Sequence, residues 1–299
     1  MKIFDCTTYY NEDLMLDIRF NILSKYVHKF VISEARYSHS GKKKELNFDI
    51  NKFPKFKNKI IYKIVEDEPN NIIYQKKNNI IFENQSDQRT NSVKRINYQR
   101  DSLLSCLNDA DEEDYILYSD NDEIPKLENL NLEKNNNKIL IFKQKLFYYK
   151  LNLFFDRIDW YGTKLCKKKH LRSMSWLRDI KSKKYPKYRF DTFFSKTKYI
   201  DVKIIDDGGW HFSQLKTPKD IQIKLLNGEQ YSEFIQAGKD LDYISDLVKR
   251  KMIDYDHKAD SKDNKYMSEF KLKTVSIDHM PKYLQENKKK YSDWFDADD

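Results

Sequence analysis

The sequence predicts an α/β protein built on a mostly parallel central sheet flanked by helices. Two observations carry that expectation. The chain opens with a strand, an amphipathic helix and a second strand, and such openings favour parallel pairing with right-handed crossovers. Further on, the apolar strand Tyr115–Tyr118 runs directly into Ser119-Asp120-Asn121-Asp122-Glu123-Ile124-Pro125. An Asp-x-Asp at a strand end delivers two carboxylates to the carboxyl edge of a sheet, where open α/β sheets bind ligands.

The elements follow in order. Lys2–Cys6 is a short apolar strand. Asn11 offers an N-cap, with Glu12 and Asp13 in the first turn, where the helix dipole favours acids. Leu14, Ile18, Ile22 and Tyr26 then recur every four residues as a helical stripe. Lys29–Glu34 and Lys59–Val65 read as strands, the first ending in a carboxylate. Residues 66 to 90 are polar and Asn-rich, a loop signal, and Ser92–Leu107 turns helical. After Tyr115–Tyr118, Asn129–Lys138 reads as a surface loop and Ile139–Tyr149 as a strand or strand pair. Trp160–Arg178 gives no clear pattern. Lys198–Ile205 is a strand ending at Asp206-Asp207-Gly208-Gly209-Trp210-His211. Thr217-Pro218 starts a helix in the Thr-cap, Pro-first style, and Lys239–Met252 is another. Met280–Phe295 fits a C-terminal helix docked on the body.

The 299 residues, 39% hydrophobic, suffice for one large α/β domain or two small ones. No internal repeat or domain boundary is evident, so the expectation is one domain over 1–299. The net charge of +9 favours anionic partners. The basic excess reads as spread along the chain in short lysine runs, and coding bias explains the Lys, Asn, Ile and Tyr richness better than a nucleic-acid role does. Cys6, Cys106 and Cys166 form neither a metal pattern nor a disulfide framework. No apolar run approaches membrane-span length and the N-terminus lacks a signal-peptide core, so a cytoplasmic protein is expected, with peripheral membrane contact left open.

The combined motifs resemble glycosyltransferase family 17, the family of the β-1,4-mannosyl-glycoprotein β-1,4-N-acetylglucosaminyltransferases. The carrying segments are Asp17-Ile18-Arg19-Phe20, Phe30-Val31-Ile32-Ser33-Glu34, His39-Ser40-Gly41-Lys42, Tyr98-Gln99-Arg100-Asp101, the acidic motif, Gly208-Gly209-Trp210-His211-Phe212-Ser213 and Pro281-Lys282-Tyr283-Leu284. The resemblance implies a glycosyltransferase A-type, Rossmann-like fold, with a nucleotide-sugar-binding half at 1–125 and an acceptor half with C-terminal helices at 126–299. It also implies a nucleotide-sugar donor such as UDP-N-acetylglucosamine, Mn²⁺ or Mg²⁺, a glycan acceptor and inversion at the anomeric carbon.

On this reading Asp122 binds the metal, and Asp120 binds it too or holds the ribose. Glu123 orients the loop. Asn11, Glu34, Lys42, Arg100, Asp101, Asp120, Arg178 and Trp210 are expected around the donor. Glu34 suits a uracil or ribose hydrogen bond, against a plain exposed strand end. Arg100 offers a fork to phosphate or to the acidic loop, against a surface salt bridge. His211 is a third metal ligand or substrate contact, against a structural role. Trp210 stacks on a sugar or packs in the core. The base that takes the acceptor proton is sought among Asp179, Asp191, Asp206 and Asp207, with Asp179 preferred. Two rival classes are a basic nucleic-acid-binding protein, hinted at by Tyr148-Tyr149-Lys150 and Tyr185-Pro186-Lys187-Tyr188-Arg189, and a catalytically silent glycan-binding relative.

Overall fold

A computed structural model describes residues 1–77, 80–186, 188–228, 231–236, 238–259 and 265–297. Lys187, within the aromatic-basic hint above, lies outside the described residues, as do 78 and 79 of the expected 66–90 loop.

The strands in chain order are β1 (Ile3–Thr8), β2 (Lys29–Ala35), β3 (Ile60–Val65), β4 (Gln75–Lys77), β5 (Ile80–Phe82), β6 (Tyr115–Tyr118), β7 (Glu123–Pro125) and β8 (Ile139–Phe142). They continue with β9 (Gln144–Tyr148), β10 (Leu153–Trp160), β11 (Lys164–Lys167), β12 (Val202–Ile205), β13 (Gly209–Ser213), β14 (Met252–Ile253), β15 (Phe270–Lys271) and β16 (Lys273–Thr274). The main sheet has seven strands in the order β12-β8-β11-β6-β1-β2-β3. Only β11 runs against its neighbours, so the sheet is mostly parallel as expected. It draws strands from both sides of residue 125. Between β1 and β6 the strand order reverses, and such a switch point opens a crevice beyond the carboxyl ends. The second sheet, β16-β10-β9-β13-β7, is mixed and stands beside that crevice.

Helix α1 (Asp13–Leu23) follows β1 and buries Leu16, Ile18, Phe20 and Leu23 against the sheet. Its N-cap is Glu12 rather than Asn11, and no side chain caps it. Helix α2 (Gln85–Ser102) starts seven residues before the expected Ser92. Its first two turns carry no apolar stripe, so periodicity could not find them. They are tied down instead by Asn91, which exchanges two hydrogen bonds with the Ile73 backbone. The 66–90 segment also contains the β4–β5 hairpin. Ile139–Tyr149 resolves into two strands in two different sheets, changing sheet at Lys143. Helix α3 (Met174–Asp179) lies in the stretch without a clear pattern, and Ser173 caps it.

The later helices are α4 (Asp191–Phe194), α5 (Pro218–Asn227), α6 (Tyr231–Gln236), α7 (Leu241–Lys249) and α8 (Lys282–Glu286). Thr217 caps α5 through the Asp220 amide, as its sequence predicts. The tail is a short helix followed by 3-10 turns, not one helix. Among the described residues no helix is long and apolar enough to cross a membrane.

Candidate active site

Strand β6 is fully buried and ends at the switch point, so the residues after it face the crevice. A cavity of about 350 Å³ opens there, lined from β1 by Tyr9 and Tyr10, from β6 by the acidic motif, and from β13 and α5 by His211 and Lys224.

The acidic loop is braced from below. Arg19 on α1 is wholly buried and donates from Nε and Nη2, one edge of its guanidinium, to the two carboxylate oxygens of Asp5 on β1 at 2.7 and 2.5 Å. The same guanidinium donates to Ser119 Oγ at 2.6 Å and to the Glu123 carbonyl at 2.7 Å. The Arg19 and Asp5 charges thus compensate each other while fixing the loop's path. Gly209 serves the same end: at φ +127° it brings β13 against β7, and a Cβ there would stand 2.2 Å from the Ile124 carbonyl.

The two aspartates of the motif face different partners. Asp120 accepts from Arg100 at 3.1 Å on one oxygen and from Arg178 at 2.7 Å on the other. Burial alone would raise its pKa, but the Arg178 and Arg100 guanidiniums outweigh it and hold the carboxyl well below the usual range. Asp122 meets His211 Nε2 at 3.4 Å and Lys224 Nζ at 3.3 Å. Its pKa is also held well down, because Lys224 and then His211 outweigh the burial. The Nδ1 of His211 is buried with no hydrogen-bond partner. Of Asp120, Asp122 and His211, expected to share one ion, only Asp122 and His211 lie beside each other, while Asp120 is turned to Arg100 and Arg178. Among the described residues no group of three or more His, Cys, Asp or Glu side chains is arranged to hold a metal.

Glu123 does orient the loop. Buried, it accepts from the Asp120 amide at 3.1 Å, from Trp160 Nε1 at 2.6 Å and from Arg178 at 2.9 Å. Gly162 makes room for it, since a Cβ there would fall 1.8 Å from the Glu123 carboxylate. Arg178 is delivered by α3, which is docked on α2 by Asp101. The Asp101 carboxylate accepts from the Ser175 amide at 2.8 Å and its hydroxyl at 2.7 Å. Asp101 therefore positions Arg178 rather than facing the cavity. Lys164, on the antiparallel strand β11, donates to the carbonyls of Arg178 and Ile180 at the helix's end. Burial, followed by repulsion from Arg178, pulls its pKa down to about 7.

Other expected residues sit elsewhere. Glu34 is buried, not an exposed strand end, and accepts from Lys44, Tyr62 and the amides of Asn47 and Phe48. With its oxygens so occupied it shapes the loop that brings Lys44 to the cavity. Asn11 accepts from Lys216 at 2.6 Å, and Lys42 lies over the Tyr231 ring; neither lines the cavity. Trp210 is a core residue whose Nε1 donates to the His279 carbonyl at 2.7 Å. The tryptophan at the cavity is instead Trp160, tilted against His211 with ring centroids 4.5 Å apart. None of Asp179, Asp191, Asp206 and Asp207 lines the cavity, and Asp179 is exposed.

Sequence reasoning missed Lys224, Trp160, Gly162 and the brace formed by Arg19. Arg19 left a signal: a charged residue inside the apolar stripe of α1 needs a buried partner. Lys224 left none, being one lysine among many on an amphipathic helix.

The crevice at the switch point is thus lined by carboxylates, cations and aromatics. A family model for glycosyltransferase family 17 matches residues 1–295, and the chain belongs to that family. It is therefore a hexosyltransferase. A search of curated proteins found no match.

Proposed function

We propose that the chain transfers N-acetylglucosamine from UDP-N-acetylglucosamine to a glycan acceptor, with inversion, using a divalent metal and a glycosyltransferase A-type fold. The observation that carries this reading is the meeting of Asp122, His211 and Lys224 beside the cavity at the switch point. The seven-stranded order, with one antiparallel strand beyond β6, supports the fold.

The donor set fits a metal of this kind. A carboxylate oxygen and an imidazole nitrogen 3.4 Å apart can share one ion. Mn²⁺ accepts mixed oxygen and nitrogen donors, and ions of this type complete their shell with substrate phosphates. Asp122 and His211 would hold it, and when bound it supplies Lewis-acid neutralisation of the departing diphosphate. The chain's own residues do the rest. Lys224 and Arg100 place positive charge along the cavity wall for the diphosphate. Asp120 is occupied by two arginines, so its work is to hold Arg100 and Arg178 in register. Trp160 offers an apolar face for a sugar while its indole nitrogen anchors Glu123. The β1 edge, at Tyr9 and Tyr10, leaves room for the nucleoside.

The test is thermal unfolding with UDP and Mn²⁺ together, because a ligand that binds only the folded state stabilises it, by about 2.7 kcal/mol at a hundredfold excess over Kd. UDP with Mn²⁺ should raise the Tm of the wild-type chain, and Asp122→Ala should lose both that rise and sugar transfer while keeping its fold. An Asp122→Ala variant that still binds UDP–Mn²⁺ normally removes the metal assignment.

A further inference from the structure

The basic charge of this chain is not evenly spread. Residues 181–198 carry six lysines and one arginine against the single acid Asp191, a net +6 of the +9 for the whole sequence. The remaining residues are close to balanced. Within this segment Asp191 is paired by Arg189 at 2.7 Å and Lys198 at 2.8 Å, so no acid is left over to offset the other cations.

The same segment carries the most exposed aromatics described in the chain. Tyr188 is 79% exposed, Phe190 76%, Phe193 71% and Phe194 91%. A phenylalanine at 91% exposure stands on a projection, because a flat surface or a groove would cover part of its ring. The base of the projection is clamped. The Lys181 amide donates to the Thr197 carbonyl at 2.8 Å, and Trp176 Nε1 donates to the Lys196 carbonyl at 3.0 Å. The ends of the excursion are therefore close together, and between them the short helix α4 carries Phe193 and Phe194, with Phe190 at its N-cap. Monomeric proteins rarely display large apolar side chains in such a group without a partner.

We propose that this finger docks the enzyme on an anionic membrane surface, its phenylalanines entering the headgroup region and its lysines pairing with lipid charge. Charge complementarity selects this occupant. A second copy of the chain would bring the same +6 against itself. An apolar protein groove would accept the aromatics but gain nothing from the surrounding cations. Aromatic residues ringed by Lys and Arg match the interfacial pattern, in which apolar insertion and electrostatic attraction add. A single-stranded nucleic acid is also polyanionic, but it is bound by aromatics laid along a groove, not gathered at a tip. The finger follows α3, so docking would hold the helix that carries Arg178, and with it the active site, close to the lipid surface.

The experiment uses the full chain and two kinds of vesicle, phosphatidylcholine alone and phosphatidylcholine with phosphatidylglycerol, in a sedimentation assay. The chain should pellet with the anionic vesicles and not with the neutral ones. Phe190→Ser/Phe193→Ser/Phe194→Ser should weaken that binding by about tenfold or more, and Lys183→Glu/Lys184→Glu/Lys196→Glu should weaken it similarly and flatten its salt dependence. All six side chains are exposed, so the Tm and the response to UDP–Mn²⁺ should not change. An oligouridylate is the second probe. The proposal is overturned if anionic vesicles are not bound, if the phenylalanine variant binds them as well as wild type does, or if the oligouridylate is bound in preference to vesicles and released by the same substitutions. Because vesicle binding is read without any sugar transfer, it can fail while the catalytic reading stands, and the reverse.

Discussion

Arg19→Met tests whether the acidic loop depends on a charge placed beneath it. The side chain is wholly buried, and so is its partner Asp5. Methionine fills much of the arginine's volume but leaves the Asp5 carboxylate without its donor, while the Ser119 hydroxyl and the Glu123 carbonyl lose Arg19 and keep their bond to each other at 3.1 Å. Breaking a buried ion pair by removing one member costs about 3–5 kcal/mol. Against a total stability of about 5–15 kcal/mol, a loss near 4 kcal/mol is large. Guanidinium unfolding should show it as a lower midpoint with an unchanged slope. The companion Asp5→Asn/Arg19→Met removes the stranded charge and should recover about half of the loss. Because Arg19 also holds the Glu123 carbonyl, the double variant should still bind UDP–Mn²⁺ more weakly than wild type. A loss under about 1 kcal/mol in the single variant would refute the reasoning, since that is the size of a surface change.

Two further outcomes are expected. Gly162→Ala places a methyl within 1.8 Å of the Glu123 carboxylate, so Glu123 must leave Trp160 and Arg178. Calorimetry should show a loss of about 1–3 kcal/mol with weaker donor binding, and an unchanged Tm would mean that the loop yields freely. His39 concerns pH. Burial, against the opposing hydrogen bond with Gln99, lowers its pKa from about 6.5 to about 4. Gln99 donates its own amide to the Ser33 carbonyl at 2.9 Å, so its oxygen accepts from His39 Nε2. Below pH 6.5 the unfolded chain takes up a proton that the folded chain refuses, so stability is lost as pH falls from 6.5 towards 4, by ~3 kcal/mol at most. Comparing unfolding of wild type and His39→Gln across that range should show the steeper fall in wild type, and parallel curves would rule out this origin.

The fold was legible where side-chain period and burial agree. β1, β2, β3 and β6 are short, largely apolar runs and α1 carries a four-residue apolar repeat, and the expected bounds of these strands fall within two residues of the observed ones. Legibility failed where a local sequence serves tertiary partners. The first turns of α2 are polar because Asn91 and Arg95 reach other loops: Arg95 pairs with Glu68 and Glu83, far from its own helix axis. Ile139–Tyr149 reads as one apolar run because both β8 and β9 are buried, and a run of buried residues does not say in which sheet each half pairs.

The site shows the same division in chemical form. Asp-x-Asp announced that charge would gather after β6, and it did. What the spacing could not say is that consecutive side chains along this turn would separate, Asp120 towards Arg100 and Arg178, Asp122 towards His211 and Lys224. That division depends on α3 and α5, which are about 55 and 100 residues further on, and on the docking of α3 through Asp101. A carboxylate pair read alone suggests two ligands for one ion. Read with its partners, it becomes one carboxylate that fixes two arginines and one that faces an imidazole and a lysine. The cations explain why both can stay ionised in a buried crevice: Arg178 and Arg100 at Asp120, and Lys224 at Asp122, offset desolvation before any substrate arrives. A variant that removes Arg178 should therefore disturb Asp120 and Glu123 first, and reach Asp122 only through the loop that all three share.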